Sequence, residues 1–388
     1  MQGIATTCSL SRGVATLLFG AAALGAMSAT TFGQIFVASS RSGGSIGEYT
    51  TSGATVNAAL VPGINYGFGI AVSGGNLFVS NLFGGTIGKY NATTGATVNA
   101  AFVTGFSHAA GIAVSGGSLF VADDDLGRIG EYDADTGDLV DPVLITGLSH
   151  PTGIAVSGGD LYVTNSNNGR IGKYDATTGL PVNASLVTGL DSPFGIAVFG
   201  GNLFVTNYSG TIGKYDATTG ATVNASLVTG LSQPVGIAIS GGDLFVTNYS
   251  GKIGRYDATT GATVNASLIT GLISPAGIAV VPALPGDVNF DGIVNGQDLA
   301  VVASNWLQTG KTQADANGDA IVNAQDLGLI ASNWLQTAAV GGGVGSAVTV
   351  PEPSPLVLTT LGGLFLLARR RRFSVQSRGS TKRFAVPH

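Results

Sequence analysis

Two kinds of short apolar run alternate along residues 34–281. The first, GIAV or GIAI, starts at Gly69, Gly111, Gly153, Gly195, Gly236 and Gly277. The second, LFVTN and its variants, starts at Ile35, Leu77, Leu119, Leu161, Leu203 and Leu244. Runs this short, rich in β-branched and aromatic residues and bounded by Gly, Asn and Asp, read as strands and not as helices. In the unit that begins at Gly236, GIAIS and DLFVTN flank a Gly241-Gly242 turn, and KIGRYD follows. Next comes the turn DATTG, in which Asp257 caps backbone N–H groups locally and Gly261 supplies a positive φ. TVNASLIT makes a fourth strand.

The GIAV run recurs at spacings of 42, 42, 42, 41 and 41 residues. Four strands repeated at this period predict a β-propeller. The blade number follows from the ends of the array. The first unit begins at its second strand, and a spare GIAV run, Gly277 to Val281, follows the last unit. Joining the two makes a sixth blade from both chain ends and leaves no free sheet edge. Its small residues place GIAV innermost, where strands crowd the axis. Tyr49, Tyr90, Tyr132, Tyr174, Tyr215 and Tyr256 recur once per unit and are expected to pack between blades.

Composition agrees with this reading, since only 10% of the 388 residues are charged and 61 are glycine, as in a β-rich protein with tight turns. Cys8 is the single cysteine, so the region predicted to fold has no disulfide, thiol nucleophile or cysteine metal site. Arg12, an apolar run from Val14 to Ala26 and small residues through Gly33 predict a secretory signal peptide over 1–33. Near the other end stand Pro351-Glu352-Pro353, an apolar stretch from Leu356 to Ala368, and Arg369, Arg370, Arg371 and Arg372. Those 13 apolar residues, at about 1.5 Å each, fall short of the ~30 Å hydrocarbon core. A permanent span is therefore not expected. The arrangement resembles the PEP-CTERM sorting signal, which implies processing by a membrane exosortase and delivery to the surface. Between Gln34 and Val340 there are 9 Lys/Arg against 21 Asp/Glu, a net charge of −12. Nucleic acid is excluded as a partner, because phosphate contacts need cations.

The repeats resemble the six-bladed family of NHL repeats, SMP-30-type gluconolactonases and streptogramin lyases. The motifs are P-x-G-I-A-V, L-F-V-T-N and I-G-K-Y-D-x-x-T-G, over residues 35–281. Two rings of residues are expected at one mouth of the central channel. Tyr66, His108, His150, Ser192, Gln233 and Ser274 precede GIAV; Ser39, Asn81, Asp123, Asn165, Asn207 and Asn248 follow the second strand. The lactonase resemblance implies a divalent metal held there by carboxylates and amides; this chain offers amides and Asp123, and no glutamate near the axis. The lyase resemblance implies a histidine with a nearby acid, and His150 is the best candidate base. A catalytic centre needs different groups converging from different blades, and these blades hardly differ. The second ring is therefore expected to cap loops. One unit departs: residues 111–152 hold eight acids, with Asp123, Asp124 and Asp125 on one face and Asp133, Asp135 and Asp138 at the opposite turn. They are read as a solvated acidic face.

Beyond the repeats stand DVNFDGIVNGQD (287–298) and DANGDAIVNAQD (315–326). An EF-hand-type loop surrounds Ca²⁺ with oxygens at positions 1, 3, 5 and 12, a carbonyl at 7 and often a water at 9. These positions are Asp287, Asn289, Asp291, Ile293, Asn295 and Asp298, then Asp315, Asn317, Asp319, Ile321, Asn323 and Asp326. Position 6 is Gly292 in the first loop and Ala320 in the second, so the second site is expected to be weaker. Each loop runs into one helix, DLAVVASNWLQ or DLGLIASNWLQ, and the duplication resembles a type I dockerin over residues 286–336. That resemblance implies two bound calcium ions and a cohesin partner. The contact positions of dockerins, loop positions 10 and 11, are Gly296-Gln297 and Ala324-Gln325 here instead of the usual Ser-Thr. Trp306 and Trp334 are equivalent and are expected to pack the two helices together.

The predicted protein is mainly β: a six-bladed β-propeller (34–281) closed by both chain ends, plus a small all-α calcium-binding dockerin-like domain (286–337). Around these lie the signal peptide (1–33), linkers (282–285 and 338–349), the sorting signal (350–372) and a basic tail (373–388). The expected function is that of an exported, surface-associated binding or scaffold protein and not an enzyme. Its propeller is the interaction module, its dockerin-like module folds on calcium and docks to a cohesin-like or other surface protein, and membrane contact comes only through the C-terminal segment. The alternative is a propeller hydrolase or lyase, lactonase-like or streptogramin lyase-like, acting at the channel mouth.

Overall fold

The computed structural model describes residues 33–281, 286, 294, 296–307 and 322–334. Residues 1–32 of the predicted signal peptide, both linkers, the sorting signal and the basic tail lie outside these, as do Asp287, Asn289, Asp291, Ile293, Asn295, Asp315, Asn317, Asp319 and Ile321. Among the described residues, 24 strands form six four-stranded sheets. Five blades are continuous in sequence: blade 2 (67–104), blade 3 (109–145), blade 4 (151–187), blade 5 (193–228) and blade 6 (234–270). Blade 1 is assembled from both ends of the array. Its innermost strand, Pro275–Val281, pairs antiparallel with Gln34–Ser39, and Gly44–Thr50 and Thr55–Ile64 follow outward. The closing register runs from Gln34 opposite Val281 to Ser39 opposite Pro275.

The GIAV strands are innermost because only a missing Cβ permits their spacing. A Cβ on Gly277 would lie 2.2 Å from the carbonyl oxygen of Phe68 in blade 2. On Gly195 it would lie 2.4 Å from that of Val235 in blade 6. The LFVTN strands are buried on both faces, which is why they read as continuous apolar runs without alternation.

The core is divided among the six interfaces between blades. Tyr90 of blade 2 packs with Phe36, Ile46 and Leu60 of blade 1, and Tyr256 of blade 6 packs with Phe204 and Ile212 of blade 5. Each of the six tyrosines sits in such a junction. A buried hydroxyl adds a polar clasp. Thr247 Oγ1 accepts from Gly236 N–H (2.8 Å) and donates to the Ala276 carbonyl of the next blade (2.6 Å). Thr206, Thr164 and Ser80 repeat the arrangement, while Ala122 and Ala38 stand at that place in blades 3 and 1.

Cross-strand pairs on the third strand set one further difference. Lys89, Lys173, Lys214 and Arg255 lie over the aromatic rings of Phe78, Tyr162, Phe204 and Phe245, a favourable cation–π placement. Blade 1 has Glu48 there, buried, with Gln34 Nε2 donating to its Oε1 at 2.9 Å. Burial raises the Glu48 carboxyl from its ordinary 4.5 to about 7. A folded-state value above the unfolded one means stability that is full below about 4.5 and lost as pH rises through about 7. Glu48→Gln is therefore expected to raise the melting temperature at pH 8 and to leave it nearly unchanged at pH 4.5. An equal shift at both pH values would show that the carboxyl is not titrating in the fold.

Two short helices make a separate small core. They are α1 (Gly296–Ser304) and α2 (Ala324–Ser332). They meet through Val302 and Ile330, with Val294 and Val322 completing a wholly buried set. Trp334 packs against this core, whereas Trp306 is 38% exposed. Each stands two residues past the end of its helix, and the expected equivalence of the two tryptophans does not hold in their packing. Among the described residues no helix is long and apolar enough to cross a membrane.

Candidate functional site

The central channel is a cavity of about 110 Å³ lined by the glycines and isoleucines of GIAV, among them Ile112, Ile154 and Ile237. Phe68 and Phe194 meet across it with ring centroids 6.4 Å apart. Among the described residues Thr152 is its one polar side chain, and none of them that line it is titratable. Chemistry therefore has to be sought at the rim.

At the rim the two expected rings are tied together residue by residue. The carbonyls of Tyr66, His108, His150, Ser192, Gln233 and Ser274 accept from the N–H of Leu82, Asp124, Ser166, Tyr208, Tyr249 and Ser40, at 2.9–3.1 Å. Tyr66, His150, Ser192, Gln233 and Ser274 adopt left-handed backbone, φ +46° to +54°, a cost the ring of hydrogen bonds offsets. No sequence signal marks these positions, because the residues are not glycine.

The second ring turns inward. Asp123 is wholly buried: its carboxylate accepts from Ser107 N–H (3.2 Å) and His108 N–H (3.3 Å) and pairs with Arg128 (3.3 Å). Asn165 Oδ1 accepts from Ser149 N–H at 3.0 Å. The amides of Asn81 and Asn207 donate to Thr86 and Thr211, and that of Asn248 to the Val246 carbonyl. Ser39 Oγ donates to the Ile273 carbonyl at 2.7 Å. All five of these Asn and Asp residues are buried: Asp123 and Asn165 hold the loop before the innermost strand, Asn81 and Asn207 reach the start of the third strand, and Asn248 bonds within its own strand.

What does converge at the rim is a cluster beside blade 3. His150 Nδ1 lies 3.2 Å from Asp124 Oδ1, and His108 Nδ1 lies 2.5 Å from Asp125 Oδ2, which also accepts from Ser107 Oγ at 3.0 Å. The hydrogen bonds from His108 and Ser107 hold the Asp125 carboxyl below its ordinary range. Burial pushes the Asp124 carboxyl up, and the His150 interaction opposes this. Phe83 stands edge-on to both His108 and Tyr66, with centroids 5.1 and 4.8 Å away. The two histidines are among the residues expected at the mouth. Their pairing with Asp124 and Asp125 is not legible in sequence, because it depends on how the loop after Asp123 folds against the next blade.

In the helical unit, Asp298 and Asp326, position 12 of each loop, are wholly buried. A buried carboxylate needs a cation or several donors. Asn323 caps α2, its Oδ1 accepting from Gln325 N–H (2.8 Å) while its own N–H donates to Asp326 Oδ2 (2.7 Å). Oxygen-only ligand positions ending in buried carboxylates fit a hard cation such as Ca²⁺. Gly296, Gln297, Ala324 and Gln325 are all exposed at the starts of the helices.

Comparison with known proteins agrees with both parts. Residues 33–267 match the family described as outer membrane protein assembly factor BamB, and residues 285–333 match the dockerin type I domain. No curated protein matches the chain. Among solved structures, the crystal structure of a nidogen/laminin complex is 16% identical with a TM-score of 0.55, over 64% of this chain and 97% of that one. The computationally designed Ika8 protein is 17% identical with a TM-score of 0.43, over 62% and 74%. The first of these is a likeness of fold alone. With more than half of its length matched, the chain belongs to the propeller family PQQ_2, outer membrane protein assembly factor BamB, and it carries a dockerin type I domain after the propeller.

Proposed function

We propose that the protein is an exported, surface-associated interaction protein whose dockerin domain folds on calcium and docks to a cohesin-like partner. In this reading the propeller, of NHL type, is a binding platform and not an enzyme, and the PEP-CTERM segment directs exosortase-dependent sorting. The observation that carries the reading is the duplicated loop-helix unit with both position-12 carboxylates buried and both position-10/11 pairs exposed. The glycine and isoleucine lining of the channel supports a non-catalytic propeller. Cohesin domains immobilised on a sensor surface are expected to retain the full chain in calcium and to release it in chelator. Gln297→Arg with Gln325→Arg should abolish retention while calcium binding persists. Retention indifferent to calcium, or retention on no cohesin by a calcium-loaded chain, overturns the docking reading.

A second reading, lactone hydrolysis or lyase chemistry at the rim, draws on the His150–Asp124 pair. Turnover of a lactone or cyclic peptide by the full chain, lost in His150→Ala, decides for it.

A further inference from the structure

We propose that His108, Asp124, Asp125 and His150 form a binding site for a first-row divalent transition cation of the zinc class. The site is distinct from the calcium loops and independent of the docking reading, and none of its four residues lines the central channel.

The donor atoms are already gathered. One ligand atom each from Asp124, Asp125 and His150 lie within 4.8 Å of one another, and His108 Nδ1 adjoins Asp125 at 2.5 Å. Zinc with nitrogen and oxygen ligands at about 2.0–2.2 Å is tetrahedral, which sets ligand atoms roughly 3.3 Å apart. Both histidines sit on backbone that is pinned: the His108 carbonyl accepts from Asp124 N–H and the His150 carbonyl from Ser166 N–H, each at 3.0 Å.

Charge points the same way. Two adjacent carboxylates face the site, and among the described residues neither pairs with a lysine or arginine; Arg128 is engaged on Asp123. The two imidazoles are their counter-groups. Metal binding requires neutral imidazole and displaces the protons shared with the carboxylates, so a cation replaces protons within an existing arrangement. Burial raises the Asp124 carboxyl and the His150 interaction opposes the rise.

Repeat copying does not account for the cluster. Where this unit has Asp124-Asp125, the others have Ser40-Arg41, Leu82-Phe83, Ser166-Asn167, Tyr208-Ser209 and Tyr249-Ser250. Where it presents His108 and His150, the others present Tyr66, Ser192, Gln233 and Ser274. Acids and imidazoles depart from the consensus at one place, as a ligand set from different loops would. Imidazole nitrogens favour zinc and its neighbours and are poor calcium ligands, which separates this site from the dockerin loops.

The test is calorimetric titration of Zn²⁺ into the full chain with calcium saturating the dockerin. The chain carries Cys8→Ser and His388→Gln, which remove the single cysteine and the third of its three histidines. One Zn²⁺ per chain is expected, with affinity falling at least about tenfold in His150→Gln and in Asp125→Asn. Without any change at the site, the ring resonances of His108 and His150 should shift on adding Zn²⁺, which keeps the test open should a variant fold poorly. Absence of zinc binding, unshifted His108 and His150 resonances, or unchanged affinity in a folded His108→Gln/His150→Gln double variant overturns the proposal.

Discussion

In excess chelator, α1 and α2 are expected to melt while the propeller stays folded. Their shared core is small, with Val294, Val302, Val322 and Ile330 wholly buried, and a unit of about 50 residues seldom holds together on so little apolar surface. Three acids in each loop repel one another until a cation sits between them. The ligand geometry exists only in the fold, so binding free energy becomes folding free energy. At free calcium about a thousand times the dissociation constant, each site stabilises by roughly 4 kcal/mol, enough to decide whether the helices form. Asp298→Ala should do more damage than Asp326→Ala, because the first loop has Gly292 at its sharp turn and the second has Ala320. Circular dichroism of residues 284–338 during a calcium titration measures both effects. Full helix in chelator rejects calcium-coupled folding, and a larger loss from Asp326→Ala reverses the order of the sites.

Deleting Gly277 to Val281 is expected to abolish the monomeric propeller. The deletion removes ladder partners of Gln34 to Val37 and takes Ile278 and Val281 from the core. Two buried aliphatic side chains at roughly 1.5–3 kcal/mol each, with several ladder hydrogen bonds at about 1 kcal/mol each, sum to the order of 8 kcal/mol. That is comparable to the whole stability of a typical domain, about 5–15 kcal/mol. The exposed strand Gln34–Ser39 would then be an apolar edge open to pairing with other copies. Size-exclusion chromatography and thermal melting of residues 34–276 give the answer: a monomer as heat-stable as the closed ring removes the case for closure.

The architecture is legible in sequence because its determinants are periodic. GIAV spacing marks each innermost strand, and the orphan strands at either end of the array announce blade 1. Even the strand that starts at Gly236 in the motif differs by only two residues, Pro234–Ser240, since proline is tolerated at a strand's first position. Asp257 and Gly261 form the turn their residue types predict, with Asp257 Oδ1 accepting from Thr259 and Thr260 N–H and Gly261 at φ +74°. The rim is another matter. Whether Asn207 faces a ligand or a loop, or whether Asp124 meets His150, depends on distances between blades, and no local pattern encodes those. The hydroxyl of Thr247 shows the same limit: its partner, the Ala276 carbonyl, belongs to another blade.

Blade 1 also determines how the ring answers to tension. Gln34 and Val281 lie opposite each other at one end of the closing pair. A pull on the chain through these two residues therefore peels the strands apart, loading one hydrogen-bonded rung at a time at about 1 kcal/mol each. Shear along the strands would load all the rungs together. The other five blades have both ends of every strand joined within the array and feel no such peeling. Under stretch, blade 1 is therefore the place where the ring is expected to open first.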